Sequence, residues 1–186
     1  MNIAERRDLH EVPFSGFTRR LQQTDIPFLK PILETWVRDR KTHELLNEEV
    51  EEILSTMKDS IVGKNDRTYF VAETEDGNIA GSIGMRKPDP RLFIYTRTDN
   101  PIEIINAFVS KEHTRQGIGR ALINTVEENA RKNGFKELIL NSGPRYMFSG
   151  WPAWTKIFGR PIAIAQDYFG KGIDAPVWRK ILSNGL

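Results

Sequence analysis

The chain contains no cysteine, which excludes disulfides, thiolate zinc sites and any acyl-cysteine intermediate, and points to a reducing compartment. It has no uncharged run near the ~20 residues that a membrane-crossing helix needs, and Met1 to His10 carries no apolar signal core. No membrane attachment is expected, and the cytoplasm is the expected location. Histidine is scarce: His10, His43 and His113 are the three, and they do not fall at metal-ligand spacing. No metal site is expected. One sign of charge does not dominate either, since 27 basic residues against 25 acidic ones leave a formal net charge of +2. Bulk electrostatics therefore does not argue for nucleic acid, and any anion site must be local.

What is present suits one globular domain. The 186 residues, 39% hydrophobic and 28% charged, suffice for a core without covalent staples. Residues 1–15 lack periodicity and read as an N-terminal arm, and 16–186 read as the domain. A short strand between Gly16 and Gln22 precedes a helix capped by Thr24 or Asp25, with Pro31 kinking it or marking its start. A second helix is predicted from about His43 to Lys58. Its glutamates, Glu44 to Glu52, form a solvated face or an acidic surface that steers a cationic substrate. Thr68 to Glu73 and Ile79 to Met85 flank an Asp-Gly turn and read as a hairpin, in which Gly81 and Gly84 suggest a bulge or the close approach of another backbone. The proline-rich segment from Lys87 to Pro101 reads as an excursion over a site or a long connection.

The centre of the chain is more specific. Ile102 to Val109 is an apolar run that reads as a buried strand, and Leu122, Ile123, Val126 and Ala130 recur at helical spacing after it. The strand feeds the helix through Thr114-Arg-Gln-Gly117-Ile-Gly119, followed by Arg120. Glycines there let backbone N–H groups converge on an anion, with the positive end of the helix dipole behind them. The expected ligand is a phosphate. A P-loop is disfavoured because no Gly-Lys-Ser/Thr follows. A dinucleotide turn fits poorly, because seven residues separate Val109 from Gly117 and position 122 is leucine. Asn133-Gly134 ends the helix, Glu137 to Leu140 forms another strand, and an aromatic stretch from Tyr146 to Phe158 precedes a last hairpin from Pro161 to Leu182.

Val109 through Ile123, with the strand on either side, resembles the acyl-CoA-binding core of the GNAT superfamily of N-acetyltransferases. The family motif is Arg/Gln-x-x-Gly-x-Gly/Ala, from which Thr114 departs at the first position. The resemblance extends coarsely from Gly16 to Leu182 and is specific in the central third. It implies an α/β (α+β) domain: a mixed, mostly antiparallel central sheet flanked by helices, whose parallel fourth and fifth strands splay apart. It implies acetyl-CoA as co-substrate, with its pyrophosphate on the turn formed by Thr114, Arg115, Gln116, Gly117, Ile118, Gly119 and Arg120. The pantetheine arm would pair with Phe108 and Val109. Asn141 is a polar contact from the other side or a strand-end turn residue.

Moving an acyl group to an amine needs removal of a proton from the amine and delivery of one to the leaving thiolate. Without cysteine, direct attack on the thioester is the natural route. Glu103, fourteen residues before Gly117, has the offset of the catalytic glutamate in the histone-acetyltransferase branch of the superfamily and is the candidate base. The alternative is that it only begins the strand or pairs with an arginine. The family's usual acid is a tyrosine, but alignment on Gly159 puts Thr155 there. Tyr146 is the nearest substitute, with Tyr95 and Tyr168 further off, and a packing role is open for each. Trp151, Trp154, Phe158 and Trp178 could line an acceptor pocket or a dimer interface, although core is the commoner place for such aromatics. The leading expectation is an N-acyltransferase acting on acetyl-CoA or a short acyl-CoA and an unidentified primary amine. The rival is a non-catalytic acyl-CoA sensor or interaction module of the same fold, and a homodimer is left open.

Overall fold

A computed structural model describes residues 14–182. The arm expected at 1–15 lies almost wholly outside the described residues, as do the last four positions of the expected domain. Seven strands form one sheet in the order β1-β2-β3-β4-β5-β7-β6. They are β1 (Phe17–Arg20), β2 (Thr68–Glu73), β3 (Ile79–Arg86), β4 (Pro101–Val109), β5 (Glu137–Asn141), β6 (Ala163–Ala165) and β7 (Ala175–Ile181). Every neighbouring pair is antiparallel except β4 and β5. Helices α1 (Ile26–Trp36) and α2 (Asn47–Ile61) cover one face, and α3 (Ile118–Lys132) and α4 (Gly150–Phe158) cover the other.

The two faces follow from alternation along the strands. Phe70, Ile83, Ile104 and Leu138 point to α3 and meet its stripe of Ile118, Leu122, Val126 and Ala130. Tyr69, Val71 and Phe108 point the other way, to Leu29, Leu33 and Leu54 of α1 and α2. Trp178 is fully buried in the α3 face, and Trp151, Trp154 and Phe158 pack against the same core. These aromatics are packing residues first, although Trp154 also reaches the cleft described below.

Of the two places expected for Pro31, within the helix or at its start, it takes the first, lying inside α1. One helical boundary is corrected. α2 begins at Asn47 rather than His43, because a local turn holds the preceding segment. Asp39 Oδ1 accepts the N–H groups of Lys41 and Thr42, Arg38 bridges to Leu45, and His43 takes a positive φ of 60°. An aspartate bonding the backbone just ahead of it competes with helix formation. The last hairpin is present, but its first strand shrinks to the three residues of β6.

β4 carries the irregularity that shapes the molecule. Ser82 pairs with Phe108 and Gly84 with Ile105, so one residue of β3 opposes two of β4. Asn106, within that bulge, has φ 48°. A bulge bends and twists its strand, and β5 is pinned along its other edge by β7 from Glu137 to Asn141. The two parallel strands therefore pair only from Pro101 to Glu103 against Glu137 to Ile139, and beyond that point they part. The close approach expected at Gly81 is found: a Cβ there would stand 2.7 Å from the Phe108 carbonyl oxygen. Gly81→Ala should push β4 outward and cost about 1–3 kcal/mol, read as a lowered midpoint in urea unfolding. A midpoint unchanged within error would show that the two backbones can separate freely.

The excursion between β3 and β4 is fixed at both ends by buried carboxylates. Glu103 accepts the N–H of Asp89, and Glu137 accepts those of Arg97 and Thr98 at 2.9 and 2.8 Å. Between the pins, a 3₁₀ turn over Pro90–Tyr95 drops Leu92 into a small core with Ile139 and Val177. Among the described residues, no helix is long and apolar enough to cross a membrane.

Candidate active site

The opening between β4 and β5 continues into a cleft of about 1700 Å³ that reaches from the N-terminus of α3 to α2. Its basic wall is the glycine turn. After a 3₁₀ turn over Lys111–His113, Arg115 and Gly117 both have left-handed backbones, with φ of 64° and 75°. A non-glycine residue held there stores about 1–3 kcal/mol of strain, which clusters at ligand clamps. α3 starts at Ile118, whose side chain is buried in the core and fixes the helix in place. No side chain caps this terminus and its first turn has no acidic residue. Its first N–H groups consequently lack intrahelical acceptors and sit at the positive end of the dipole. A Cβ at Gly119 would meet nothing within 4 Å, so the helix offers bare backbone to open space.

The remaining turn residues take different positions. Thr114, Arg115 and Gly119 line the cleft, and Arg115, Gln116 and Arg120 are exposed. Thr114 donates its hydroxyl to the Lys111 carbonyl at 3.1 Å, which ties down the loop. Ser110 donates its N–H to Ala80 at 2.8 Å, so strand alternation turns the backbone of Val109 away from β3 and into the gap. There the Val109 carbonyl accepts the indole N–H of Trp36 at 2.8 Å. The same alternation turns the Phe108 backbone toward β3 and leaves its ring in the cleft, edge-on to Tyr146 with centroids 6.2 Å apart. Asn141 ends β5 opposite Val177 and lines the far side of the gap.

The floor holds the titratable groups. Glu103 is 2% exposed, and its carboxylate accepts Arg86 Nε at 2.9 Å, Arg86 Nη2 at 3.3 Å and the Asp89 N–H at 3.0 Å. Three of about four acceptor sites are filled. Glu103 is thus paired with an arginine, as one side of the alternative read from the sequence has it, and it also lines the cleft. Tyr146, on a 3₁₀ turn after β5, also lines the cleft. Burial pushes its hydroxyl up to about 12, against the opposing pull of Arg145. It is a neutral donor at physiological pH. Tyr168, distant in sequence, reaches the same cleft beneath the Arg91 guanidinium. Burial, and then the carboxylates of Glu103 and Asp89, raise it to about 12. Tyr95 packs beside the small core instead.

Arg67, Arg86 and Asn106, which line the cleft, and Tyr69, buried behind Asn106, escaped the sequence reading. Arg86 is the cross-strand partner of Glu103. The Tyr69 hydroxyl donates to Asn106 Oδ1 at 3.0 Å, bracing the bulge. The one available signal was Asn106 itself, an asparagine interrupting an apolar strand, since asparagine tolerates positive φ.

The sequence matches the acetyltransferase (GNAT) family over residues 30–149. Human N-acetyltransferase 8 is 33% identical over 91 residues, which are 48% of this chain and 37% of that protein. The chain thus matches little more than a third of that relative's length. Among solved structures, a GNAT-family acetyltransferase from Desulfovibrio desulfuricans superposes with a TM-score of 0.70 at 18% identity, covering 90% of this chain and 99% of that one. A phosphinothricin acetyltransferase from Sinorhizobium meliloti, solved in complex with acetyl-CoA, gives 0.64 at 18% identity, covering 92% and 90%. These structural likenesses speak to fold alone. With the match spanning most of the sheet, the glycine turn and α3, the chain belongs to the GNAT acetyltransferase family.

Proposed function

We propose that the protein is an N-acetyltransferase that moves the acetyl group of acetyl-CoA to a primary amine by direct attack. The observation that carries this reading is the opening between β4 and β5 leading to the uncapped, glycine-bare N-terminus of α3. The backbone N–H groups of Ile118, Gly119 and Arg120 would bind the pyrophosphate, with Arg115 and Gln116 beside them. Val109 and Asn141 would flank the pantetheine arm from opposite sides of the gap. The co-substrate supplies an activated acyl carbon, whose bond to sulfur breaks as the bond to nitrogen forms.

The protein's own part is proton movement and positioning. An ammonium acceptor gives up two protons in becoming an amide. Glu103 takes them in turn through a water at its remaining acceptor site and passes them to solvent. Tyr146 donates its hydroxyl proton to the leaving sulfur and regains one from solvent. Tyr146→Phe should lower kcat about tenfold or more with KM little changed. Because the hydroxyl stays protonated to about 12, its ionisation should not limit the rate of the parent enzyme below pH ~11. An unaltered kcat would leave the tyrosine as packing for Phe108.

The whole reading is tested by following thiol release from acetyl-CoA across an amine panel, together with calorimetric titration of acetyl-CoA. Absence of binding would sink it. A second reading, an acyl-CoA sensor without turnover, is favoured by the three hydrogen bonds that already occupy Glu103 and by Thr155 where the family places tyrosine. Tight binding with no amine-dependent thiol release would establish that alternative.

A further inference from the structure

The cleft wall on the α1 and α2 side contains a charge imbalance that acyl transfer alone does not use. Arg86 is neutralised by Glu103, Arg91 by Asp89, and Arg145 by Glu49 at 2.8 Å. Arg67 also lines the cleft but makes no ion pair with any carboxylate among the described residues. It is half-buried. Thr68 pairs with Met85, and Arg86 with Glu103. Carrying that register one residue further brings Arg67 level with Arg86 and Glu103 in a single row across three strands, each about 4.8 Å from the next. Two guanidinium groups and one carboxylate share the row, which leaves one positive charge uncompensated.

The position of that charge matters more than its sign. Arg67 also exerts a lowering influence on the Tyr69 hydroxyl that opposes the upward push of burial. The same hydroxyl donates to Asn106 at the bulge. Asn106 follows Glu103, the last β4 residue paired with β5, so the row that holds Arg67 opens onto the parting of the two strands. An anion held by Arg67 would face the same cleft as an amine presented beside Glu103. Its planar fork suits a carboxylate, which it grips with two parallel hydrogen bonds. Apolar side chains of Trp36, Leu46 and Ile53 line the adjoining wall. The exposed carboxylates of Glu48 and Glu52 stand at the rim, where they favour approach of a cationic amine and disfavour a simple anion.

We infer that the acceptor is a free α-amino acid with an apolar side chain, its carboxylate bound by Arg67 and its amine directed to the gap between β4 and β5. This rests on the acetyltransferase reading given above. The zwitterion satisfies both wall and rim: the ammonium is attracted by Glu48 and Glu52, and the carboxylate meets the cation inside.

The test compares L-leucine, L-phenylalanine and L-methionine with their decarboxylated amines, isoamylamine, phenethylamine and 3-(methylthio)propylamine, as acceptors for acetyl-CoA. The parent protein should favour the amino acid in each pair by about 30-fold or more in kcat/KM, because a site built for a buried ionic contact rejects the analogue lacking it. In Arg67→Gln that preference should collapse toward unity, and Arg67→Lys should restore part of it. Binding of N-acetyl-L-phenylalanine in the presence of CoA, followed by calorimetry, gives a readout independent of turnover and should weaken in Arg67→Gln to the same extent. Acetyl-CoA affinity measured alongside reports whether each variant is still assembled. Equal use of amino acids and amines, or a preference that survives Arg67→Gln, overturns the inference while leaving the acetyltransferase reading intact. Failure to bind acetyl-CoA at all overturns the acetyltransferase reading instead.

Discussion

The Gly119→Glu variant is expected to fold at least as well as the parent protein and to bind acetyl-CoA about 100-fold more weakly or worse, a loss of about 2.7 kcal/mol or more. The two halves of this expectation have separate origins. Gly119 is the second residue of α3 and its φ is not positive. An added side chain there meets no neighbour, gains helix propensity of several tenths of a kcal/mol, and places an acidic group where the dipole favours one. The melting temperature should therefore stay level or rise. The same carboxylate occupies the space beside the N–H groups of Ile118 and Arg120 and repels a pyrophosphate. Binding would be measured by titration calorimetry and stability by thermal unfolding of the same sample. Unweakened acetyl-CoA binding in a folded variant would remove the turn from the cofactor site. Gly119→Ala, which fills the space without charge, should show a smaller loss in the same direction.

Glu103→Gln is expected to lower kcat by about 10²–10⁴-fold. The complication is that Glu103 also organises the floor. Glutamine keeps the shape but turns an NH₂ group toward donors, so one of the bonds from Arg86 or Asp89 must break, at a cost of about 1–3 kcal/mol. A purely structural carboxylate would therefore also reduce activity. The pH profile separates the roles. A base that must be ionised produces an acidic limb in kcat, and Glu103→Gln should flatten it. A structural carboxylate lowers the melting temperature and leaves the shape of the profile unchanged. Reduced stability with the acidic limb retained would retire Glu103 as the base, and Tyr168, which the fold brings to the same part of the cleft, would be the next residue to substitute.

The legible parts of the site were those written in local sequence. β4, the glycine turn and α3 form one uninterrupted segment, so periodicity and glycine chemistry specify them without knowledge of the rest. The order of strands and helices was readable for the same reason. The floor was not, because it is assembled across strands. Arg86 meets Glu103 through the β3–β4 register, and a bulge that no periodicity records decides that register. Arg67 precedes its strand by one residue and reads as any surface arginine until β2 and β3 are laid side by side. The start of α2 was misread because Asp39 stabilises a turn that helix periodicity ignores. Tyr168 arrives from the final hairpin, far from the motif, and only the sheet order brings it near Glu103.

The two carboxylate pins on the excursion between β3 and β4 bear on how this protein can diversify. Asp89 is tied to the sheet through Glu103, and Arg97 and Thr98 through Glu137, in each case by backbone N–H groups rather than side chains. Anchors of that kind do not depend on which residues occupy the anchored positions, proline excepted. Apart from Leu92, which is buried in the small core, the stretch between them can therefore exchange composition while its ends remain in register with β4 and β5. One wall of the cleft is in this sense a replaceable cassette set in a fixed frame. The glycine turn on the opposite side has no such freedom if, as proposed, the backbone itself holds the pyrophosphate.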